Sequence, residues 1–196
     1  LKHNPLAEYR ASPYKSAEPL AETRLLMPAT AFKGALRSVA TDIPGAAKAQ
    51  IGRLTYVVGD YVSLYGVPKL LMSITRSADM NHTPDIRTRA IVPQWAAKVT
   101  VIYTIPLLRE KDVVNLFCAA GIMRGVGDWR PEKGSGNYGQ FELVEPNDKR
   151  WKDVVAKGGR EAQDAALESP EAYDAESAEL LTWFIDEAGA RGHRVA

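Results

Sequence analysis

The chain has 196 residues, 45% hydrophobic and 25% charged, the balance of a globular domain rather than of a disordered or collagen-like segment. No apolar run approaches the roughly eighteen residues of a membrane span, and residues 1–10 lack the apolar centre of a secretion signal, which points to a cytoplasmic protein. A formal net charge of +1 conceals a polarity: residues 1–150 hold twenty basic and fourteen acidic side chains, residues 151–196 five and ten. A basic body suits a polyanionic partner, because lysine and arginine displace the counterions condensed on phosphates.

Residues 1–25 carry Pro5, Pro13 and Pro19 and little periodicity, so an irregular start with a short strand near 20–26 is expected. Pro28 sits where a first-turn proline belongs. Ala31, Ala35, Leu36, Val39 and Ala40 follow at helical spacing, with Lys33 and Arg37 on another face, and Pro44-Gly45 ends the helix. Residues 53–58 and 61–65 read as strands around the turn Gly59-Asp60. Residues 69–96 form a long hairpin or protruding loop with Lys69, Arg76, Arg87 and Arg89. The last two stand two apart and so share a face on a strand.

Residues 98–104 alternate as a strand. Residues 109–120 form an amphipathic helix, with Val113, Leu116, Phe117 and Ala120 at i, i+3, i+4 and i+7. A glycine-rich loop occupies 121–139, and 140–144 reads as a closing strand. After Pro146 the composition turns acidic, and 151–156, 160–167 and 171–188 read as helices hinged at Gly158-Gly159. The expected fold is α+β: a ferredoxin-like, RRM-type βαββαβ core with a basic thumb-like hairpin insertion at 69–96 and a helical C-terminal appendage. The domains are then 1–150, binding nucleic acid, and 151–196, an acidic appendage.

The loop 121–139 concentrates the chemistry. Gly125, Gly127, Gly134, Gly136 and Gly139 let backbone approach phosphates and expose its N–H groups. Arg124, Arg130 and Lys133 neutralise phosphate, while Trp129 and Tyr138 offer faces for base stacking. The competing structural reading is a glycine-rich turn before an edge strand, with Trp129 tucked into the core. Gly125-x-Gly127 lacks the strand–turn–helix context of a dinucleotide fingerprint. Cys118, in an apolar helix, is expected in the core. His3, His82 and His193 are scattered in an arm, a loop tip and the C-terminus. No metal site, cofactor or catalytic residue is expected, with His82 the one histidine worth testing as a ribonuclease acid–base group.

Met27-Pro28-Ala29-Thr30-Ala31-Phe32-Lys33-Gly34-Ala35-Leu36-Arg37 resembles the opening of the first helix in the RAMP superfamily, the RRM-like proteins that form the guide-RNA backbone of CRISPR effector complexes. Gly134-Ser135-Gly136-Asn137-Tyr138-Gly139-Gln140-Phe141 is similar to that superfamily's C-terminal glycine-rich loop. Val126-Gly127-Asp128-Trp129-Arg130-Pro131-Glu132-Lys133 resembles a stretch of uncharacterised phage-encoded proteins. The resemblance covers about residues 25–145 and leaves out the acidic tail. It implies a non-enzymatic subunit that oligomerises along single-stranded guide RNA, alongside other effector subunits and away from membranes. RNA contacts would come from Lys33 and Arg37 on the first helix, Arg76, Arg87 and Arg89 on a thumb, and the 124–139 loop. The aspartate with which some such subunits cut target RNA is missing before Pro28, where only Glu8, Glu18 and Glu22 stand. Two further readings stay open: a phage single-stranded-DNA-binding or annealing protein, and a structural protein without a nucleic-acid role.

Overall fold

The computed structural model describes residues 2–76, 82–133 and 136–193. In chain order the elements are α1 (Pro5–Ala11), β1 (Tyr14–Lys15), β2 (Leu25–Pro28), α2 (Ala29–Val39), α3 (Lys48–Leu54), β3 (Thr55–Val57), β4 (Tyr61–Tyr65), β5 (Lys69–Arg76) and β6 (Pro84–Ile91). They continue with β7 (Ala96–Ala97), β8 (Val101–Tyr103), α4 (Glu110–Met123), α5 (Lys149–Lys157), α6 (Arg160–Glu168) and α7 (Ala175–Ala190). The fold is mixed α+β with antiparallel pairing. Sheet orders among the described residues are β1–β2–β4–β7, β3–β8 and β5–β6.

Contacts divide the chain into two compact units, and not at residue 150. The first unit is Leu1–Leu26, Ser63–Ala96 and Lys152–Ala196; the second is Met27–Val62 and Ala97–Trp151. The expected appendage is therefore part of the first unit, and the reason lies at the edges of the hairpin. β5 and β6 pair over eight residues, from Lys69↔Ile91 to Arg76↔Pro84, which leaves each strand an outer edge of unpaired backbone groups. On β5, Leu70 donates to Glu171 O at 2.8 Å and accepts from Tyr173 N at 2.8 Å. Met72 N donates to Ser177 Oγ at 3.0 Å, and that hydroxyl donates back to Met72 O. On β6, Ala90 N donates to Ser12 Oγ at 2.7 Å. The C-terminal segment thus closes the sheet, with Leu70 and Met72 buried on the face between the flanking elements.

A glutamine ties the rest of this unit. Gln163 of α6 is fully buried. Its Oε1 accepts from Arg24 N at 2.7 Å and Leu25 N at 2.9 Å. Its Nε2 reaches the carbonyls of Leu64, Gly66 and Gly158 at 2.8, 2.9 and 2.9 Å. Gly158 must be glycine: a Cβ there would meet Gly66 N at 2.3 Å. Tyr9 of α1, also fully buried, reaches Pro68 O and Ala166 O with its hydroxyl.

The second unit packs two helices. α2 buries Ala29, Phe32, Ala35, Leu36 and Val39, and α4 buries Val113, Leu116, Phe117 and Ala120; the helices meet, with α3 against α2. β3 and β8 pair as Thr55↔Tyr103, Tyr56↔Ile102 and Val57↔Val101. The closing strand expected at 140–144 does not form, and the alternating pattern there has another cause. Phe141 sets its ring edge-on to Phe32 and Phe117, with centroids 6.1 and 6.4 Å away, and its N–H donates to Gly121 O rather than to a strand. Cys118, expected in the core, is exposed on the outer side of α4.

Candidate nucleic-acid interface

The second unit holds a cleft of about 350 Å³ between α2 and the 124–139 loop. α2 contributes Thr30, Gly34 and Arg37, a helical stripe at i, i+4 and i+7 turned away from its buried face. Gly34 has open space where a Cβ would stand, so the helix is thinned at the centre of the cleft. Arg37 lies along α3, where a Cβ at Gly52 would come within 2.7 Å of its Nε. Lys48, at the start of α3, completes that wall. Local pattern does not announce it, because the seven-residue α3 has one buried residue, Ile51, and no side-chain N-cap.

The opposite wall is the loop. Gly125 and Gly127 have φ of 65° and 84°, a region that favours glycine. Val126 N donates to Gly139 O at 2.9 Å, which closes the loop at its base. Inside it, Arg130 Nη1 donates to Gly127 O at 2.8 Å and Lys133 N to Arg130 O at 2.8 Å. Trp129 has φ of 55°, unfavourable for a bulky side chain, yet its indole is 66% exposed rather than tucked into the core. Its backbone is fixed there. Tyr138 N donates to Trp129 O at 3.0 Å, and Gly136 packs so closely that a Cβ would fall 1.7 Å from that oxygen. Tyr138 is itself 40% exposed. Gly134 lies outside the described residues.

The cations differ in what they already do. Arg124 is consumed inside the unit, donating to Ser38 O, Thr41 Oγ1 and the Asp42 carboxylate. Arg130 pairs with Glu132 at 3.1 Å. Burial pushes the Glu132 carboxyl up, but a hydrogen bond from Ser38 and the Arg130 and Arg124 charges outweigh it and hold the group below its ordinary range. Lys33 stands 6.0 Å from the centre of the Tyr56 ring. Arg37, Lys48 and Lys133 form no ion pair among the described residues and leave the cleft with uncompensated positive charge.

Arg76, Arg87 and Arg89 belong to the first unit, all exposed on the hairpin. Arg87 lies 3.7 Å from Asp85 and Arg89 Nη1 donates to Thr88 O. Asp85 also takes Lys2 at 3.1 Å and His3 Nε2 at 2.7 Å, and these hydrogen bonds hold its carboxyl below the ordinary range. The other nitrogen of His3 is 2.7 Å from Glu8, so a histidine without a legible partner in the sequence ties the N-terminal arm to β6. His82 is exposed with φ of 45°. No helix among the described residues is long and apolar enough to cross a membrane.

No family model matches the chain, and no curated protein or solved structure matches it.

Proposed function

We propose that the chain binds single-stranded RNA through the cleft of its second unit, as a RAMP-type subunit whose copies line up along a guide strand. The observation that carries the reading is Trp129: a large aromatic ring held in solvent on a disfavoured backbone, next in sequence to Arg130 of the cleft wall. Backbone strain of this kind costs about 1–3 kcal/mol and persists where the surroundings over-determine it, which is characteristic of functional sites. A projecting indole on the loop that also supplies Lys133 to a cationic cleft matches how single strands are held, with phosphates neutralised along a groove and bases stacked on aromatic faces. Gly34 and Gly127 would allow a sugar–phosphate chain to approach the backbone from both walls. On this reading β2–α2 and β8–α4 correspond to the two halves of a ferredoxin-like, RRM-type core, with the departures that β2 and β8 lie in separate sheets and that no closing strand forms at 140–144. The hairpin with Arg76, Arg87 and Arg89 serves as a secondary, weaker contact.

The test is titration of nucleic-acid-free protein with labelled single-stranded RNA, single-stranded DNA of the same sequence and duplex RNA at low salt. The reading expects tight, salt-sensitive binding to the single strand, RNA before DNA, and weak binding to the duplex. Equal affinity for DNA would move the protein to the single-stranded-DNA class, and failure to bind any strand would end the reading.

A further inference from the structure

We propose that the outer face of α7 docks into the cleft of a second copy of this chain, so that this self-association and RNA binding exclude one another. The exclusion rests on the RNA reading above; the contact between copies does not. α7 buries Ser177, Phe184 and Ala188 within its own unit. On the other side Glu176, Glu179, Trp183 and Asp186 recur at i, i+3, i+7 and i+10, one helical stripe roughly 15 Å long. All four are exposed, Trp183 by 54%. The three carboxylates form no ion pair among the described residues, although Glu187 of the same helix does pair, with Arg191. Tryptophan is among the residue types enriched at the centres of protein interfaces.

Charge selects the occupant. The unit containing α7 has fifteen acidic and thirteen basic side chains, whereas the cleft-bearing unit has twelve basic and nine acidic. Arg37, Lys48 and Lys133 are the unpaired cations of that cleft. α7 offers them what a single strand would: a row of negative charges with an aromatic ring set among them. The contact is heterologous, since the helix of one copy uses the cleft of the next and leaves its own cleft for another. Opposite potentials on the two faces steer such encounters and make them sensitive to salt.

Sedimentation velocity of the nuclease-treated full chain at low salt tests this. The expected result is concentration-dependent association that disappears at about 1 M salt, where screening acts within ~3 Å. The triple variant E176K/E179K/D186K and, separately, R37E/K133E should each lower the association constant by at least about tenfold, and Trp183→Ala should lower it without altering charge. Mixing the two charge-reversed variants should restore association, because each then presents a helix and a cleft of opposite sign to the other. A wild-type protein that stays monomeric, or a mixture that stays apart, overturns the contact. Single-stranded RNA of about six nucleotides, short enough to occupy one copy, should dissociate the wild type. Association that persists with that RNA bound overturns the exclusion, whereas an absence of RNA binding with the charge swap intact overturns only the RNA reading.

Discussion

The two units place their polar groups differently. In the first, polar side chains turn inward onto backbone: Gln163 meets five main-chain groups, Tyr9 two carbonyls and Ser177 both sides of Met72. Its cations are largely spoken for as well. Arg10 covers the terminal carbonyls of α6, Lys69 pairs with Glu171, and Arg24 and Arg160 share Asp164. In the second, the core is made by the apolar faces of α2 and α4 and by Phe141, and three cations are left facing an open cleft. A polar group consumed by its own backbone fixes the fold, while one left without a partner beside a concavity is available to a ligand.

The largest test of that contrast is Gln163→Leu, which would strand five backbone groups in the first unit. It should cost about 4 kcal/mol in chemical denaturation. A loss as small as a surface substitution would break the claim that this unit is held by inward polar bonds. Next comes Trp129, where stability and binding should part. Trp129→Ala should weaken RNA binding by about 2 kcal/mol, near thirtyfold, and Trp129→Gly should do the same while raising stability by about 1 kcal/mol, because glycine accepts the positive φ. A glycine variant that loses stability would contradict the strained presentation of the ring.

Alkaline pH should distinguish the units too. Burial pushes the hydroxyls of Tyr9 and Tyr65 up to about 12, with Glu22 adding at Tyr65. A raised folded pKa means the folded state holds these protons more tightly than the unfolded chain, whose tyrosines titrate near 10. Their contribution is complete below about pH 10 and lost as the pH climbs toward 12. Tyr9→Phe should flatten that decline in a series of melts, and an unchanged decline would remove Tyr9 as its source. The smallest effect is expected on the hairpin. Arg87→Ala or Arg89→Ala should change RNA affinity by less than about threefold, as for cations already engaged at a surface. A larger drop would make the hairpin a primary contact.

The sequence was most legible where periodicity and burial coincide. α2 and α4 carry their apolar residues at helical spacing, and their bounds lie within a few residues of what that spacing predicts. The pairing of β5 with β6 agrees with the hairpin read over 69–96, whose residues 77–81 lie outside the described residues. Local pattern could not reveal what depends on distant partners. Phe141 alternates like a strand residue but is held by two helices. Residues 151–196 change in composition and so read as an appendage, yet their backbone closes an edge formed some hundred residues earlier. Arg124 looks like its neighbours in the loop, and only the turn after α2 shows that its charge is spent on Asp42. Lys48 is hidden for the opposite reason, since a short and mostly exposed helix leaves almost no apolar signature.

The most direct measurement is fluorescence anisotropy of labelled single-stranded RNA with nucleic-acid-free wild type and R37E/K133E across a salt series. The account predicts that the variant loses about a hundredfold in affinity at low salt, and that its logarithmic salt dependence becomes shallower by roughly 0.7 for each phosphate contact removed. A variant that binds RNA as tightly as the wild type, with the same salt dependence, would contradict the assignment of the cleft.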